Sequence, residues 1–390
     1  MPSRTQQVRL LTFTTLYPNE RQPNHGIFVE NRLRHLIGTG KATSVVLAPV
    51  TWLTRAVPAQ ERRHNLHIYH PRFVTMPRIG MRVLPHLLYA TAAATLGRLL
   101  DAGARFDAID AHYFYPDGVA ATWLGRRFDL PVVITARGSD VTQFPDYAGP
   151  RRLIRQAASA ADAVITVSAG LRDALIALGA DGRTITVLRN GVDLTAFSPR
   201  DRCAARAKYG VRGKIAVSVG ALIERKGHDL TIGALASLPG WTLLIAGEGP
   251  ERSHLLKHAR TCGVADRVRL LGAIPHTELA TLFSAADLSV LSSSREGWAN
   301  VLLESMACGT PVVASPIPGN PEVVQSRAAG LIAAGRTPQA IAAAIQSLAG
   351  DPPGRDSTRA YAEKFGWDAT SAGQLAIFGK VTGVSRQQFP

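Results

Sequence analysis

Two doubly wound α/β domains are predicted by three features of the sequence. Short β-branched runs alternate with helical stretches, the alternation falls into two sets, and 390 residues exceed one compact core but suit two of roughly 150–200 residues each. The first set of strands is read in VRLLTFT, TSVVLAP, NLHIYH, FDAIDAH, PVVITAR, AVITVS and TITVLR, the second in KIAVSVGAL, TLLIAGEG, RVRLLGAI, LSVLSS and PVVAS. Between most of them apolar residues recur near the helical period, as in Phe28–Leu36, Gly118–Arg127, Gly170–Leu178, Glu251–Thr261 and Thr277–Ala285. Strand, helix and strand in this order pair in parallel, so ligands are expected outside the carboxyl ends of the strands. The break is read in NGVDLTAFSPRDR, where Gly191, Pro199 and a cluster of charges place a hinge near Gly191–Asp201. Beyond Pro352, Pro353 and Gly354, helical segments are expected around Thr358–Phe365 and Trp367–Phe378.

Composition removes several classes. With 46% hydrophobic and 19% charged residues the chain is not disordered in bulk. No run reaches the ~20 apolar residues of a membrane span, and the long uncharged stretch Ser305–Pro321 is broken by Gly309, Pro311, Pro316, Pro318 and Gly319. Arg4 and Arg9 precede only the short run Leu10–Leu16 with no cleavage-site pattern, so a cytoplasmic protein without a signal peptide is expected. Cys203, Cys262 and Cys308 have neither paired nor metal-ligand spacing. The net charge of +15 is uneven, since residues 1–100 hold 13 Arg/Lys against 3 Asp/Glu. Nucleic acid, an anionic membrane surface and phosphorylated ligands all suit such an excess, as does a coding bias toward arginine. No nucleic-acid module or aromatic interleaving accompanies the basic residues, so no nucleic-acid partner is expected.

Three segments carry the chemistry. In SSSREGWANVLLESMACGTPVVAS, a helix follows the strand LSVLSS, and Gly297 would let a ligand approach the backbone. Helix amides near Asn300 and Val301 suit a phosphate without a metal. Glu296 and Glu304, with seven residues between them, would lie along one ligand, Glu304 accepting from vicinal hydroxyls such as those of a ribose. The alternative is a surface helix with two solvated glutamates. In VSVGALIERKGHDL, Arg225 and Lys226 stand at a strand-to-helix turn and suit a diphosphate, or form an ordinary basic turn. In LYPNERQPNHGIFVENRLRHL, Gly26 precedes a helix and offers another phosphate-facing position, without any G-x-G-x-x-G spacing.

Together with RGSDV, ADAVITVSAGL, VLRNGVDLTAF, VGALIERKG, IAGEGPE and LLGAIPHTELATLFSAADLSVLSS, these segments resemble the family-4 retaining glycosyltransferases of the GT-B fold over nearly the whole chain. The resemblance implies two Rossmann-like domains facing across a cleft. Residues 1–195 would form the acceptor side, 196–365 the nucleotide-sugar domain, and 366–390 a helix crossing back. It implies Glu296 near the donor sugar hydroxyls, Glu304 at the ribose and Lys226 at the diphosphate. The donor is a substrate, so no cofactor is implied. The acceptor would be a saccharide or a lipid-linked group. Two positions depart from the family pattern: Ala221 stands where an arginine is common, which Arg225 would replace, and Arg137 stands where a histidine is common, with His112 as a nearby imidazole.

The reaction expected is metal-independent transfer with retention, through an oxocarbenium-like sugar, with Lys226, Arg225 and backbone amides stabilising the departing phosphate. A sugar-nucleotide epimerase or a phosphorylase is the alternative on the same fold. Arg62, Arg63, Arg72, Arg78, Arg82 and Arg98 flank the uncharged VLPHLLYATAAATLG, which would either rest on an anionic leaflet or form a buried helix.

Overall fold

A computed structural model describes residues 7–54, 56–74 and 80–383, so Arg4 and Arg78 lie outside the described residues. The chain forms two units, Met1–Asn190 with Trp367–Pro390, and Gly191–Gly366. The first unit runs β1 (Val8–Phe13), α1 (Ile27–Gly38), β2 (Ala42–Leu47), β3 (Val50–Thr51), β4 (Gln60–Arg63), β5 (Leu66–Tyr69), β6 (Arg72–Phe73), α2 (Gly80–Asp101), β7 (Ala108–His112) and α3 (Val119–Phe128). It continues with β8 (Val132–Ala136), α4 (Ser139–Thr142), α5 (Ala148–Ala160), β9 (Ala163–Thr166), α6 (Ala169–Ala177) and β10 (Ile185–Val187). These strands form a sheet of order β10-β9-β8-β7-β1-β2-β5-β4, and β3 pairs with β6 separately. Every pairing in the larger sheet is parallel except β4 with β5. That hairpin turns through His64 and Asn65, both at positive φ, and its outer strand QERR puts charge on the sheet edge, which discourages pairing with another chain.

The second unit runs α7 (Arg202–Tyr209), β11 (Lys214–Val219), α8 (His228–Leu235), β12 (Trp241–Ala246), α9 (Arg252–Thr261), β13 (Val268–Gly272), α10 (Leu279–Ala285) and β14 (Leu288–Leu291). It ends with α11 (Asn300–Ala307), β15 (Val312–Ala314), α12 (Asn320–Val323), β16 (Gly330–Ile332), α13 (Pro338–Gly350) and α14 (Arg355–Glu363). Its sheet, β13-β12-β11-β14-β15-β16, is parallel throughout. The core is formed by Leu243, Ile245, Val290, Ile232, Leu255 and Ile345, all buried. The segment after Asn190 belongs to this unit rather than to the first. The Val192 amide donates to Phe365 O at 2.9 Å, and the Arg359 guanidinium donates to Leu194 O, Phe197 O and Ala307 O at 2.7–3.1 Å.

The chain then re-enters the first unit as α15 (Asp368–Thr382). Its Leu375 and Phe378 pack on Val8, Leu10, Ala108, Val133 and Ile165, the apolar side chains on one face of the sheet. The uncharged stretch of residues 83–97 lies in α2. This helix is long and apolar enough by composition to cross a membrane, yet Leu88, Ala92 and Leu96 are buried within the first unit. Arg82, His86 and Arg98 face outward, so the helix spends its most apolar side on the core and presents cations to solvent.

Candidate active site

In the second sheet the strand order reverses between β11 and β14, the switch point beyond whose carboxyl ends a parallel sheet has its ligand crevice. The turn after β11 contains Arg225 and Lys226 and ends on Gly227, whose φ is +65°. A Cβ on Gly227 would lie 2.3 Å from Ser292 O, so only glycine lets the turn press against the loop after β14. The loops are joined by the Ser294 amide, which donates to Arg225 O at 2.8 Å. Lys226 Nζ then meets Glu296 Oε1 at 2.6 Å, and Ser293 Oγ donates to the same oxygen at 2.7 Å. Both charged groups are only partly accessible, so their attraction is less screened than a surface pair's. Arg225 reaches back to Arg295 O at 3.3 Å.

Helix α11 follows directly. Asn300 and Glu304 lie one turn apart on one face of it. The Asn300 amide already donates to Trp298 O at 3.0 Å, and Val301 follows it in the first turn of the helix. The chain thus tightens before the first helical turn and engages the first of the two amides expected to face a phosphate. Gly297 is buried, and a Cβ on Gly319 would lie 3.3 Å from its carbonyl oxygen, so another stretch of the chain lies close to it. Glu304 Oε1 lies 3.0 Å from Nε2 of His276, a residue in the turn before α10. Burial lowers the His276 pKa, but the Glu304 charge and hydrogen bond, with Asp193, carry it above its ordinary value. Phe197 meets the imidazole edge-on at 5.0 Å between ring centroids.

In the first unit Gly26, at φ +68°, caps α1. A Cβ there would lie 2.2 Å from Leu16 O, so the loop after β1 can fold onto the helix start only with glycine. Arg137 and His112 stand at the carboxyl ends of β8 and β7, but their side chains turn inward. Arg137 donates to His112 Nδ1 at 2.7 Å and to Asn190 Oδ1 at 3.1 Å, and its guanidinium lies over the Phe28 ring. Arg32, fully buried, shares Asn190 Oδ1 at 3.1 Å. Since His112 Nδ1 accepts from Arg137, the ring carries its proton on Nε2, 3.2 Å from Asp110 Oδ2. Burial, and secondarily the Arg137 charge, pull the His112 pKa to about 4 against the attraction of Asp110. Both side chains are thus engaged by partners within the first unit, and the imidazole is buried.

The crevice thus joins a cation, carboxylates and a helix amide at the switch point of a parallel sheet. Residues 29–196 match the family model described as Glycosyltransferase Family 4, and residues 202–365 match Glycosyl transferases group 1. A D-inositol 3-phosphate glycosyltransferase of Mycobacterium tuberculosis is 34% identical over 325 residues, 77% of this chain and 67% of that protein. The chain belongs to glycosyltransferase family 4. Its fold is GT-B: a sucrose-phosphate synthase from Thermosynechococcus elongatus superposes with a TM-score of 0.82, at 21% identity, over 97% of this chain and 100% of that one. Anabaena HepE in complex with UDP-glucose gives 0.74, at 20% identity, over 95% and 98%.

Two residues of this glycosyltransferase escape a reading of its sequence. Ser293 and His276 each bond a glutamate singled out by its motif, and both are ordinary turn residues with no spacing signal. Only the sheet topology brings His276 beside a residue 28 positions later. As arranged, Lys226 neutralises Glu296, and Ser293 holds the same carboxylate oxygen.

Proposed function

We propose that this family-4 glycosyltransferase moves a sugar from a nucleotide-sugar donor to a saccharide or lipid-linked acceptor, with retention at the anomeric carbon and without a metal. The Lys226–Glu296 pair at the sheet switch point carries this reading. The donor diphosphate takes Lys226, Arg225 and the Val301 amide, its ribose takes Glu304, and the freed Glu296 holds the sugar hydroxyls. The bond between the anomeric carbon and the diphosphate oxygen breaks, charge collects on the phosphate beside Lys226, and the acceptor oxygen bonds the same carbon as its proton passes to the departing phosphate. Uridine is the base to try first, as in the HepE complex, and a phosphorylated polyol is the first acceptor, as in the mycobacterial relative's name. The enzyme works on the cytoplasmic side, at an anionic membrane surface where the acceptor is lipid-linked.

Glu296→Ala is expected to lower kcat/KM by on the order of 10²-fold with little change in nucleotide affinity. Lys226→Ala is expected to weaken a nucleoside diphosphate far more than the bare nucleoside. Steady-state rates with EDTA present and calorimetry with both ligands read these outcomes. Near-normal turnover of Glu296→Ala, or strict dependence on Mg²⁺ or Mn²⁺, would overturn the reading.

A further inference from the structure

Glu304 is held in place by a residue of a different element. It lies in the second turn of α11, whereas His276 lies in the turn after β13, and His276 Nε2 is 3.0 Å from Glu304 Oε1. An ionised carboxylate only accepts, so Nε2 donates this bond. Both groups are largely shielded, with 13% of the Glu304 side chain and 22% of the His276 side chain accessible. Exposed pairs of the same unit, such as Lys208 with Glu278 or His254 with Glu251, lack that shielding. The imidazole is fixed in its turn. Phe197 meets it edge-on and is itself buried against Phe283, its amide donating to Asp193 O at 2.8 Å and its carbonyl oxygen accepting from Arg359 at 2.7 Å. The Glu278 amide donates to Pro275 O at 2.8 Å and closes the turn around His276. Segments far apart in the chain thus set one ring, and the ring sets one carboxylate oxygen.

The other oxygen is left to a ligand. Among the described residues no hydrogen bond to Glu304 Oε2 is found. A carboxylate offers about four lone-pair sites, of which His276 takes one. The remainder suit the two hydroxyls of a vicinal diol, which a single carboxylate reads together only from one orientation. A free glutamate side chain must give up its rotamers to adopt that orientation, and one already ordered by the protein does not. We infer that His276 is a positioning residue for donor recognition: by holding Glu304 Oε1 it aims the carboxylate at the paired hydroxyls of the nucleotide's ribose and sets the preference for ribose over deoxyribose. This rests on the assignment of Glu304 to the ribose and names the residue that makes that contact selective. A pair that only fastened α11 to the turn after β13 would support folding and leave the choice of sugar unaffected.

Calorimetry on the full chain compares UDP, its deoxyribose analogue dUDP and inorganic pyrophosphate, with the GDP and ADP pairs used in the same way if UDP does not bind. The parent is expected to bind the ribose form about tenfold or more tighter than the deoxy form, the size of a hydrogen bond to a charged acceptor. His276→Leu should narrow that ratio to about threefold or less while pyrophosphate affinity stays unchanged. His276→Gln, whose amide nitrogen reaches the place of Nε2, should restore most of the ratio. His276→Asn stops short of that place, so it should behave as the leucine variant does and replaces it if that variant fails to fold. Loss of order in the unit lowers both affinities together, so the ratio separates aim from stability. A parent-like ratio in the folded leucine or asparagine variant would overturn the proposal and leave Glu304 at the ribose. Equal binding of ribose and deoxyribose forms by the parent, or no binding of any of these diphosphates, would remove the ribose assignment itself and the proposal with it.

Discussion

Glu304 meets the ligand reading with a counter-ion already in place. His276 is held above its ordinary pKa of about 6.5 by that carboxylate, against the opposing effect of burial. A base whose folded pKa is raised contributes stability that is complete below its unfolded value and disappears as pH rises through the folded one. The coupling between His276→Ala and Glu304→Gln in a double-mutant cycle should therefore be larger near about pH 6 than near about pH 9. Denaturant titrations of the four proteins at both pH values measure it, and a pH-independent coupling would contradict the ion pair. At this scale the sequence told which residue types carry charge but not which way they point. Arg137 and His112 sit at strand ends, where a donor contact was expected, yet both turn inward because they bond each other and find Asn190 and Asp110 inside. That choice depends on side chains from several elements and leaves no local pattern.

Turns, not helices, set the crevice. Gly227 lets the Arg225–Lys226 turn reach the loop after β14, and an alanine there would need the left-handed backbone and would strike Ser292 O. Gly227→Ala is expected to cost about 1–3 kcal/mol and to weaken nucleoside diphosphate binding by about tenfold or more, since Lys226 is displaced. Urea unfolding and calorimetry read the two effects separately. Full affinity in a destabilised variant would show that the turn does not position the ammonium. Elements with strong period were legible: the twelve strands read from sequence each overlap a strand of the structure, because they are β-branched runs in parallel sheets buried on both faces. Others were not. GLI in β16 has a single β-branched residue, and QERR in β4 has no apolar face, its strand state coming from its hairpin with β5.

Across the whole chain, the last helix decides whether the first unit is complete. The face of its sheet bearing Val8, Leu10, Ala108, Val133 and Ile165 is closed in part by Leu375 and Phe378, nearly two hundred residues beyond Asn190 in the chain. Pro352, Pro353 and Gly354 ahead of a helical Trp367–Phe378 raised the expectation that the chain crosses back, and the family resemblance named the first domain as its destination. Because Phe378 is fully buried, Phe378→Ala is expected to cost about 3–5 kcal/mol. The loss should fall on the first unit, since the second keeps a core drawn wholly from its own residues, Ile232, Leu243, Ile245, Val290 and Ile345 among them. Chemical unfolding of the variant should therefore show an early transition, while calorimetric titration below that transition still records nucleoside diphosphate bound as in the parent. The residues assigned to that ligand, Arg225, Lys226, Glu296, Val301 and Glu304, all lie between Gly191 and Gly366. If nucleotide affinity fell in step with stability, the binding residues would have to include some from the first unit, and the assignment of the donor to the second would fail.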